Sequence, residues 1–233
     1  MGKRESEIIK NSKAVIILSG GMDSVTTLAL AKSQKFDCYA ITFNYGQKSL
    51  SEIDAASYFS KKYSVIEHKI FNINFNDFTN SSLTNHKIAI KNEFSNTAIH
   101  DTYVPMRNII FLSIACSWAE KINSSNVFIG ANAIDYSGYP DCREDFLYSY
   151  EKMINLGSKT GADGGKFHIH RPLVGMKKID IIKTGKNLGL DYKKTVSCYQ
   201  ATPDGKACGN CESCEFRKNA FIDNGLDDET VYI

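Results

Sequence analysis

The chain has 233 residues and a formal net charge of +2, with 28 lysines and arginines against 26 aspartates and glutamates. This length can bury the core of one large domain, and the nearly balanced charge does not favour nucleic acid or an anionic membrane surface as a partner. The apolar runs are far shorter than a membrane span, and the N-terminus has no signal-peptide core. We therefore expect a cytoplasmic protein.

The first strong pattern is the run AVIILSGGMDS near the N-terminus. It predicts a buried strand over Ala14–Leu18, a turn over Ser19–Asp23 and then a helix. Glycines let backbone N–H groups approach a ligand closely, and Ser24 or Asp23 can cap the positive N-terminal end of the helix. The motif is not a Walker loop, because no Gly-Lys-Ser/Thr follows. It predicts a pocket for phosphate or pyrophosphate, with an ordinary turn as the alternative.

Strand and helix patterns then alternate, with a strand over Phe36–Tyr45, a helix over Ser51–Tyr63 and a strand over Ser64–Phe71. This order predicts a parallel sheet, whose ligands bind at the carboxyl ends of the strands where the strand order reverses. Residues Thr42–Tyr45 are therefore expected to flank the base of a nucleotide. The polar stretch Asn72–Thr102 has no regular pattern and is either a plain excursion or a flap over the site.

The segment YVPMRN precedes a strongly apolar helix that we predict over Ile109–Ile122. Pro105 restricts the residue before it and helps to define where the helix begins. Arg107 lies at this helix start, where a positive charge is unfavourable unless an anion shares the site. We therefore expect Arg107 to contact a phosphate or carboxylate, with a surface arginine as the alternative.

A fourth strand is predicted over Asn126–Gly130, and the loop after it, Ala131–Phe146, concentrates aromatic and acidic residues. A carboxylate can accept hydrogen bonds from the two parallel donors of a guanine-type edge, and a tyrosine ring can stack on a base. A turn-rich loop with solvated charges is the alternative, and for Cys142 a plain loop thiol is at least as good an interpretation. The candidate substrate contacts are Asp135, Tyr139, Asp141 and Glu144.

Toward the C-terminus, a helix is predicted over Phe146–Leu156, followed by the glycine-rich stretch Gly157–Gly165, which could order over a bound ligand. Phe167–Pro172 alternates like a strand, and we expect its two histidines to be structural or solvent-facing. The last predicted helix, Met176–Leu188, carries lysines that we expect mostly on a solvated face. One of them could reach a triphosphate.

Four of the seven cysteines lie close together near the C-terminus, which in a reducing compartment indicates a metal site rather than disulfides. Four thiolates suit Zn²⁺ in a closed tetrahedral site that leaves no position for chemistry. An iron–sulfur cluster is the main alternative, and redox disulfides are less favoured. We expect a structural zinc that fastens the C-terminal segment, with the ligands Cys198, Cys208, Cys211 and Cys214.

SGGMDS resembles the pyrophosphate (PP) loop, Ser-Gly-Gly-x-Asp-Ser, of the ATP pyrophosphatase superfamily. Together with ITFNYGQ, VPMRN, GYPDCR and the four-cysteine tail, it makes nearly the whole chain similar to the 7-cyano-7-deazaguanine (preQ0) synthase family, QueC, of the queuosine pathway. The resemblance implies a doubly wound α/β fold with a five-stranded parallel sheet, generally as a homodimer. We expect residues 1–190 to form the ATP-binding domain and residues 191–233 a zinc-binding segment packed on it.

The resemblance implies a ligase that uses ATP and ammonia to convert the carboxylate of 7-carboxy-7-deazaguanine to a nitrile, by adenylation of the acid and then of the amide. Positioning and charge neutralisation supply the rate, and the implied catalytic residues are Ser19, Asp23, Ser24 and Arg107. The serines bind phosphate with the loop amides, and the aspartate helps to hold Mg²⁺. The implied ATP-binding residues are Leu18, Ser19, Gly20, Gly21, Met22, Asp23, Ser24, Val25, Thr26, Thr27 and Leu28.

No glutaminase half is visible, so free ammonia is the expected nitrogen source. The first rival is a PP-loop ligase that modifies tRNA, which would need to hold a large polyanion. The second is a zinc-knuckle binding module without catalysis, which would leave the SGGMDS motif unexplained.

Overall fold

The computed structural model describes residues 12–75, 78–90, 99–133 and 139–233. In these residues the strands form one parallel sheet, in the order β3-β2-β1-β4-β5. This arrangement confirms the predicted five-stranded parallel sheet. The strands are β1 (Lys13–Ile17), β2 (Asp37–Asn44), β3 (His68–Asn72), β4 (Asn126–Phe128) and β5 (His168–His170).

Helices connect these strands and cover both faces of the sheet. Among the described residues, none of the helices combines the length and apolar character needed to cross a membrane. The helices are α1 (Met22–Ser33), α2 (Ser51–Lys62), α3 (Arg107–Lys121), α4 (Glu144–Gly157), α5 (Lys159–Ala162), α6 (Lys178–Asn187) and α7 (Glu212–Asp223).

Successive residues of β1 serve two separate cores, because side chains alternate between the faces of a strand. Val15 and Ile17 pack in one core with α3 and α4, and Ala14 and Ile16 pack in the other with α1, α2, α6 and α7. A strand buried on both faces needs an unbroken apolar run, which explains the sequence AVII. With both faces covered, the ends of the strands are left for a ligand.

Two segments differ from the sequence-based expectation. The third strand begins at His68 rather than Ser64, because Ser64 has a φ of 48°, in the left-handed region, and turns the chain. The glycine-rich stretch 157–165, expected to order over a ligand, instead contains α5. There Glu120 accepts hydrogen bonds from the N and Oγ1 atoms of Thr160, at 2.7 and 2.9 Å.

Glu120 lies near the end of α3, and the neighbouring Ile122 carbonyl accepts a hydrogen bond from Lys13 Nζ at the start of β1, at 2.9 Å. The stretch 157–165 is therefore held at the amino-terminal edge of the sheet. This edge is opposite to the one where ligands bind in such folds, so the expected role as a cover over the ligand is not supported.

The C-terminal segment is tied together by Arg217 of α7, which is only 2% exposed. Its guanidinium donates hydrogen bonds to both carboxylate oxygens of Asp228 at 3.0–3.1 Å, to Thr195 Oγ1 at 2.7 Å and to the Tyr192 carbonyl at 3.2 Å. Burial by itself would raise the pKa of Asp228, but the hydrogen bonds and charge of Arg217 outweigh it, and the pKa is lowered.

Asp228→Asn is expected to lower the free energy of unfolding by about 3 kcal/mol at neutral pH, because it leaves the buried guanidinium without its counter-charge. Folding lowers the pKa of Asp228. The ion pair therefore contributes its full stabilisation at pH values above the pKa of Asp228 in the unfolded state, and it loses this contribution as the pH falls through the pKa of Asp228 in the folded state. Urea unfolding at neutral and acidic pH measures both effects. Asp227→Asn, an exposed neighbour, is the control, and equal stability of the two variants at neutral pH would contradict the prediction.

Candidate functional site

A cleft opens at the carboxyl ends of β1, β2 and β4. The chain leaves β1 toward β2 and β3 on one side, while β4 and β5 lie on the other, so this is the point where the strand order reverses. The cleft also receives residues from the start of α3 and from the C-terminal segment. Its lining includes Leu18, Ser19, Gly21, Met22, Asp23, Ser24, Phe43, Tyr45, Gln47, Glu52, Arg107, Asn108, Tyr139, Cys142, Lys178 and Ser197.

The loop after β1 is built around Gly20 and Ser24. Gly20 has a φ of 88°, and a Cβ on it would come within 2.2 Å of the Glu52 carbonyl oxygen, so the loop packs directly on the first turn of α2. Ser24 Oγ accepts hydrogen bonds from the backbone N atoms of Ser19 and Gly20, at 3.2 and 3.1 Å. These hydrogen bonds hold the loop in shape at the start of α1, where the helix N-terminus meets the cleft, and such a position favours an anion.

The sequence analysis predicted the wrong capping residue for α1. The N-cap residue is Gly21, and no side chain makes a capping hydrogen bond there. Neither Asp23 nor Ser24 caps the helix. Ser197, from the C-terminal segment, accepts a hydrogen bond from Met22 N at 3.1 Å instead. Sequence reasoning could not find this contact, because Ser197 lies 175 residues further along the chain.

The residues of the expected ATP-binding stretch fall into two groups. Its first part lines the cleft except for Gly20, which is covered by α2. Its last four residues are completely buried in the protein interior, so they support the loop from behind and are not placed to touch a ligand. These four are Val25, Thr26, Thr27 and Leu28.

Asp23 faces the only lysine that lines the cleft in the described part of the chain, Lys178. The Lys178 Nζ and Asp23 Oδ2 atoms are 2.5 Å apart, and Lys178 is 7% exposed. Asp23 Oδ1 is buried without a hydrogen-bond partner among the described residues. This oxygen is suited to a metal ion bound beside a phosphate, because Mg²⁺ prefers oxygen ligands.

Arg107 begins α3 and faces the cleft, as the sequence indicates for an anion contact. Its Nη1 atom donates a hydrogen bond to Tyr45 Oη at 3.4 Å, and its guanidinium carbon lies 5.7 Å from the Tyr45 ring centroid. Phe43 and Phe111 stack beside them, with centroids 3.9 Å apart. Burial raises the pKa of Tyr45 to about 12, so this phenol is neutral at physiological pH. The result is an aromatic wall next to one cation.

The expected substrate contacts are not brought together. Tyr139 lines the cleft, and its hydroxyl is 2.5 Å from Thr102 Oγ1. Asp141 is buried, and its Oδ2 accepts a hydrogen bond from Asn108 N at 3.0 Å, so it stabilises the first turn of α3. Glu144 lies outside the cleft, in a separate shallow depression. Asp135 lies outside the described residues.

Two cleft residues that the sequence analysis did not identify are Gln47 and Glu52. Gln47 Nε2 donates hydrogen bonds to the Phe43 carbonyl at 3.1 Å and to Glu52 Oε1 at 2.8 Å, and its Oε1 accepts one from Tyr45 N at 2.8 Å. Burial raises the pKa of Glu52 to about 7. An acidic residue in the first turn of a helix is common for helix stability alone, so the sequence carries no signal of this position.

The four clustered cysteines come together as expected for a metal site. Their sulfur atoms lie within 4.8 Å of one another. Three sulfur pairs are 3.5, 3.9 and 4.0 Å apart. A tetrahedral site with metal–sulfur bonds of about 2.3 Å has edges of about 3.8 Å, so the donor set fits such an ion. The cysteines in this cluster are Cys198, Cys208, Cys211 and Cys214.

Cys142 is separate from this cluster and lines the cleft, where its Sγ accepts a hydrogen bond from Asn108 Nδ2 at 3.2 Å. Burial raises its pKa to about 11. The thiol is therefore protonated at neutral pH and is not an activated nucleophile.

The cysteine cluster and the SGGMDS loop are directly connected. Val196 N donates a hydrogen bond to the Gly20 carbonyl at 3.0 Å, next to the Ser197 contact with α1. The Ser197 carbonyl in turn accepts one from Ser213 Oγ at 2.7 Å. Ser197 immediately precedes Cys198 of the cluster, and Ser213 lies between Cys211 and Cys214. The C-terminal segment thus forms part of the wall of the cleft.

Comparisons with known proteins agree with this architecture. A family model described as "Queuosine biosynthesis protein QueC" matches residues 13–225. A 7-cyano-7-deazaguanine synthase from Ruthia magnifica subsp. Calyptogena magnifica is 49% identical over 220 residues, which are 94% of this chain and 96% of that protein. A 7-cyano-7-deazaguanine synthase from Pseudomonas fluorescens (strain SBW25) is 48% identical over 94% of this chain and 98% of its own length.

One solved structure with a similar fold is an NMN synthetase from Francisella tularensis. The match covers 97% of this chain and 87% of that chain, with a TM-score of 0.51. The sequence identity is 16%, so the likeness concerns the fold alone.

Proposed function

The chain belongs to the QueC family of queuosine biosynthesis proteins, and from this premise we propose that it converts 7-carboxy-7-deazaguanine and ammonia to 7-cyano-7-deazaguanine with ATP. One observation carries the proposal: the SGGMDS loop, at the N-terminus of α1, lies in the same cleft as Arg107 and the aromatic wall. A phosphate site and a site for a flat, anionic heterocycle are therefore adjacent.

The chemistry explains why ATP is needed. A carboxylate is a poor electrophile, because its leaving group would be oxide. Adenylation replaces this leaving group with a phosphate ester, and attack by ammonia then forms an amide. Adenylation of the amide oxygen permits elimination to the nitrile. No protein nucleophile is required, so the site contributes by positioning and charge neutralisation.

The residues of the loop hold the phosphates in this proposal. Ser19, Ser24 and the loop amides bind the pyrophosphate portion of ATP, and Lys178 neutralises part of its charge. The free Oδ1 atom of Asp23 is a suitable ligand for Mg²⁺. When bound, this ion neutralises charge on the phosphate oxygens.

The opposite wall holds the heterocycle. Phe43 and Tyr45, at the end of β2, offer faces for a base, and Tyr139 offers a second ring. Arg107 can pair with the substrate carboxylate or the α-phosphate. Asp141 and Glu144 are not placed to contact the heterocycle, and Asp135 stays a prediction.

We further propose that the four-cysteine cluster holds a structural zinc ion. Thiolates in a closed tetrahedral set suit Zn²⁺, and the sulfur spacing supports this choice.

The expected homodimer and cytoplasmic location stay predictions. Light scattering after size-exclusion chromatography measures the oligomeric state.

The test is mass detection of the nitrile from the acid, ATP, Mg²⁺ and an ammonium salt. We expect nitrile formation to require the acid and ATP, with glutamine unable to replace ammonium. Absence of nitrile from folded, metal-loaded protein would overturn the proposal. Tight tRNA binding with steep salt dependence would favour the PP-loop tRNA ligase instead.

Lys178→Ala is expected to raise the Kd for ATP about tenfold or more, because a charge-assisted hydrogen bond to phosphate is worth about 1.5–3 kcal/mol. Isothermal titration calorimetry measures the change. Lys177→Ala, which removes an exposed lysine from the adjacent position, should leave the Kd unchanged. Equal affinities of the two variants would show that Lys178 does not meet the nucleotide.

A further inference from the structure

The proposed reaction creates a need that the phosphate loop does not meet. Ammonia is almost wholly protonated at neutral pH, and a nitrile nitrogen carries no hydrogen. Every N–H bond of ammonium must therefore break during the reaction, first before the attack and then during amide formation and nitrile elimination. A proton acceptor at the acyl carbon would accelerate these steps.

The described lining of the cleft contains two carboxylates, Asp23 and Glu52. Asp23 is paired with Lys178 beside the phosphate loop, which suits it to phosphate and metal binding. Glu52 is the remaining acidic group. Its carbonyl oxygen would be 2.2 Å from a Cβ on Gly20, so its backbone lies directly against the loop that is expected to hold ATP.

The side chain of Glu52 is held in one place but keeps a free oxygen. Its Oε1 accepts a hydrogen bond from Gln47 Nε2 at 2.8 Å, and Gln47 is itself fixed by two backbone hydrogen bonds to β2 and the residue after it. Among the described residues, nothing donates a hydrogen bond to Glu52 Oε2. This oxygen is therefore available to a donor that enters the cleft.

We propose that Glu52 binds ammonium and accepts the protons that the nitrogen loses. This inference rests on the proposed function. In the first step an N–H bond of ammonium breaks and its proton moves to the Glu52 carboxylate. The free electron pair of ammonia then forms the C–N bond, and the C–O bond to AMP breaks. Glu52 passes each proton to solvent before it accepts the next.

The charges around Glu52 suit this task. Among the described residues, Arg107 from α3 and the phenol of Tyr45 from the end of β2 are the ionisable groups that face it. Asp23 and Lys178 lie on the loop side of the cleft. Burial raises its pKa to about 7, against a smaller lowering by Gln47 and Arg107. At and above this pH the carboxylate form is available, and a base with a pKa near the working pH is the most effective.

Glu52→Gln is expected to lower nitrile formation with ammonium about 100-fold or more, the range a positioned general base supplies. Exchange of labelled pyrophosphate into ATP, dependent on the acid, measures the first activation and involves no nitrogen. It should fall by less than about threefold. With wild-type protein at saturating ammonium, the rate should rise with pH, be half-maximal near pH 7 and level above it, and the variant should lose this rise.

Two further arms identify the cause. Hydroxylamine is largely neutral at neutral pH and does not need to lose a proton before it attacks. Relative to the wild-type protein, Glu52→Gln should therefore lose less hydroxamate formation than amide formation. Asp54→Asn removes an exposed carboxylate from the same helix and is the control. Glu52→Asp keeps a shorter carboxylate and should have an intermediate rate.

The results separate this inference from the function on which it rests. Wild-type protein without acid-dependent exchange would contradict the proposed function. Glu52→Gln with equal losses of exchange and nitrile formation, or with no loss, would overturn the role of Glu52. If Glu52→Gln does not fold, a folded Glu52→Asp with wild-type rates and pH profile would also overturn it.

Discussion

Removal of Cys214, a proposed zinc ligand, is expected to abolish tight ATP binding as well as to destabilise the C-terminal segment. For Cys214→Ser we expect the free energy of unfolding to fall by at least about 3 kcal/mol, because structural zinc contributes on the order of 10 kcal/mol in zinc-finger peptides. Part of the segment's stability is retained by the burial of α7 in the core behind α1. The Kd for ATP should rise about 100-fold, which is about 2.8 kcal/mol and lies in the upper range for the loss of one hydrogen bond to a charged group.

The physical reason is the connection between the cluster and the phosphate loop. Val196 and Ser197 contact Gly20 and Met22, and they lie immediately before Cys198 of the cluster. When the cysteines are no longer held together, this short segment is free to move away from the start of α1. The proposed phosphate site then loses the wall formed by Val196 and Ser197, although neither residue is mutated.

The measurements are metal content, thermal unfolding and ATP titration on the same samples. Cys116→Ser is the matched control, because Cys116 is buried in α3 but lies outside the cluster. Ser197→Ala isolates the contact itself, since it should keep the metal and still weaken ATP binding. Metal-free Cys214→Ser with wild-type affinity for ATP would show that the cluster does not support the phosphate site.

Gly20→Ala is expected to lower the free energy of unfolding by about 2–4 kcal/mol and to abolish ATP binding. An added Cβ would lie 2.2 Å from the Glu52 carbonyl oxygen and 2.6 Å from Ala56 N. Both are backbone atoms of α2, so the loop or the helix must shift. The φ of 88° adds strain for any residue with a side chain.

Gly21→Ala provides a control one residue away. Gly21 has a φ of −75°, and the nearest atom to an added Cβ is the Val196 carbonyl oxygen at 3.4 Å. We expect a loss of less than about 1 kcal/mol. In thermal unfolding, Gly20→Ala should lower the Tm by about 4–16 °C, since each kcal/mol shifts the Tm of a chain of this size by about 2–4 °C. Equal Tm values for the two variants would contradict the predicted clash.

Much of the fold was predictable because its signals are local. Residues 14–18 form an apolar run followed by two glycines, which indicates a buried strand and a loop without any knowledge of the remaining chain. The alternation of strand and helix patterns limits the topology to a parallel sheet, and the sheet places the carboxyl ends of its strands at one edge. The cysteine spacing predicts the cysteine cluster, because Cys208, Cys211 and Cys214 follow one another with only two residues between each pair.

The sequence by itself thus determined the α/β fold, the position of the SGGMDS loop, the cysteine cluster and the family. The tertiary structure decided which distant side chains complete the cleft: Glu52, Lys178 and Ser197 enter it, while Asp141 turns inward to stabilise α3 and Glu144 lies outside. These outcomes depend on how helices rotate and pack against the sheet, because a rotation by one residue moves a helical side chain about 100° around the axis. Such rotations are set by the whole core, and no short stretch of sequence encodes them.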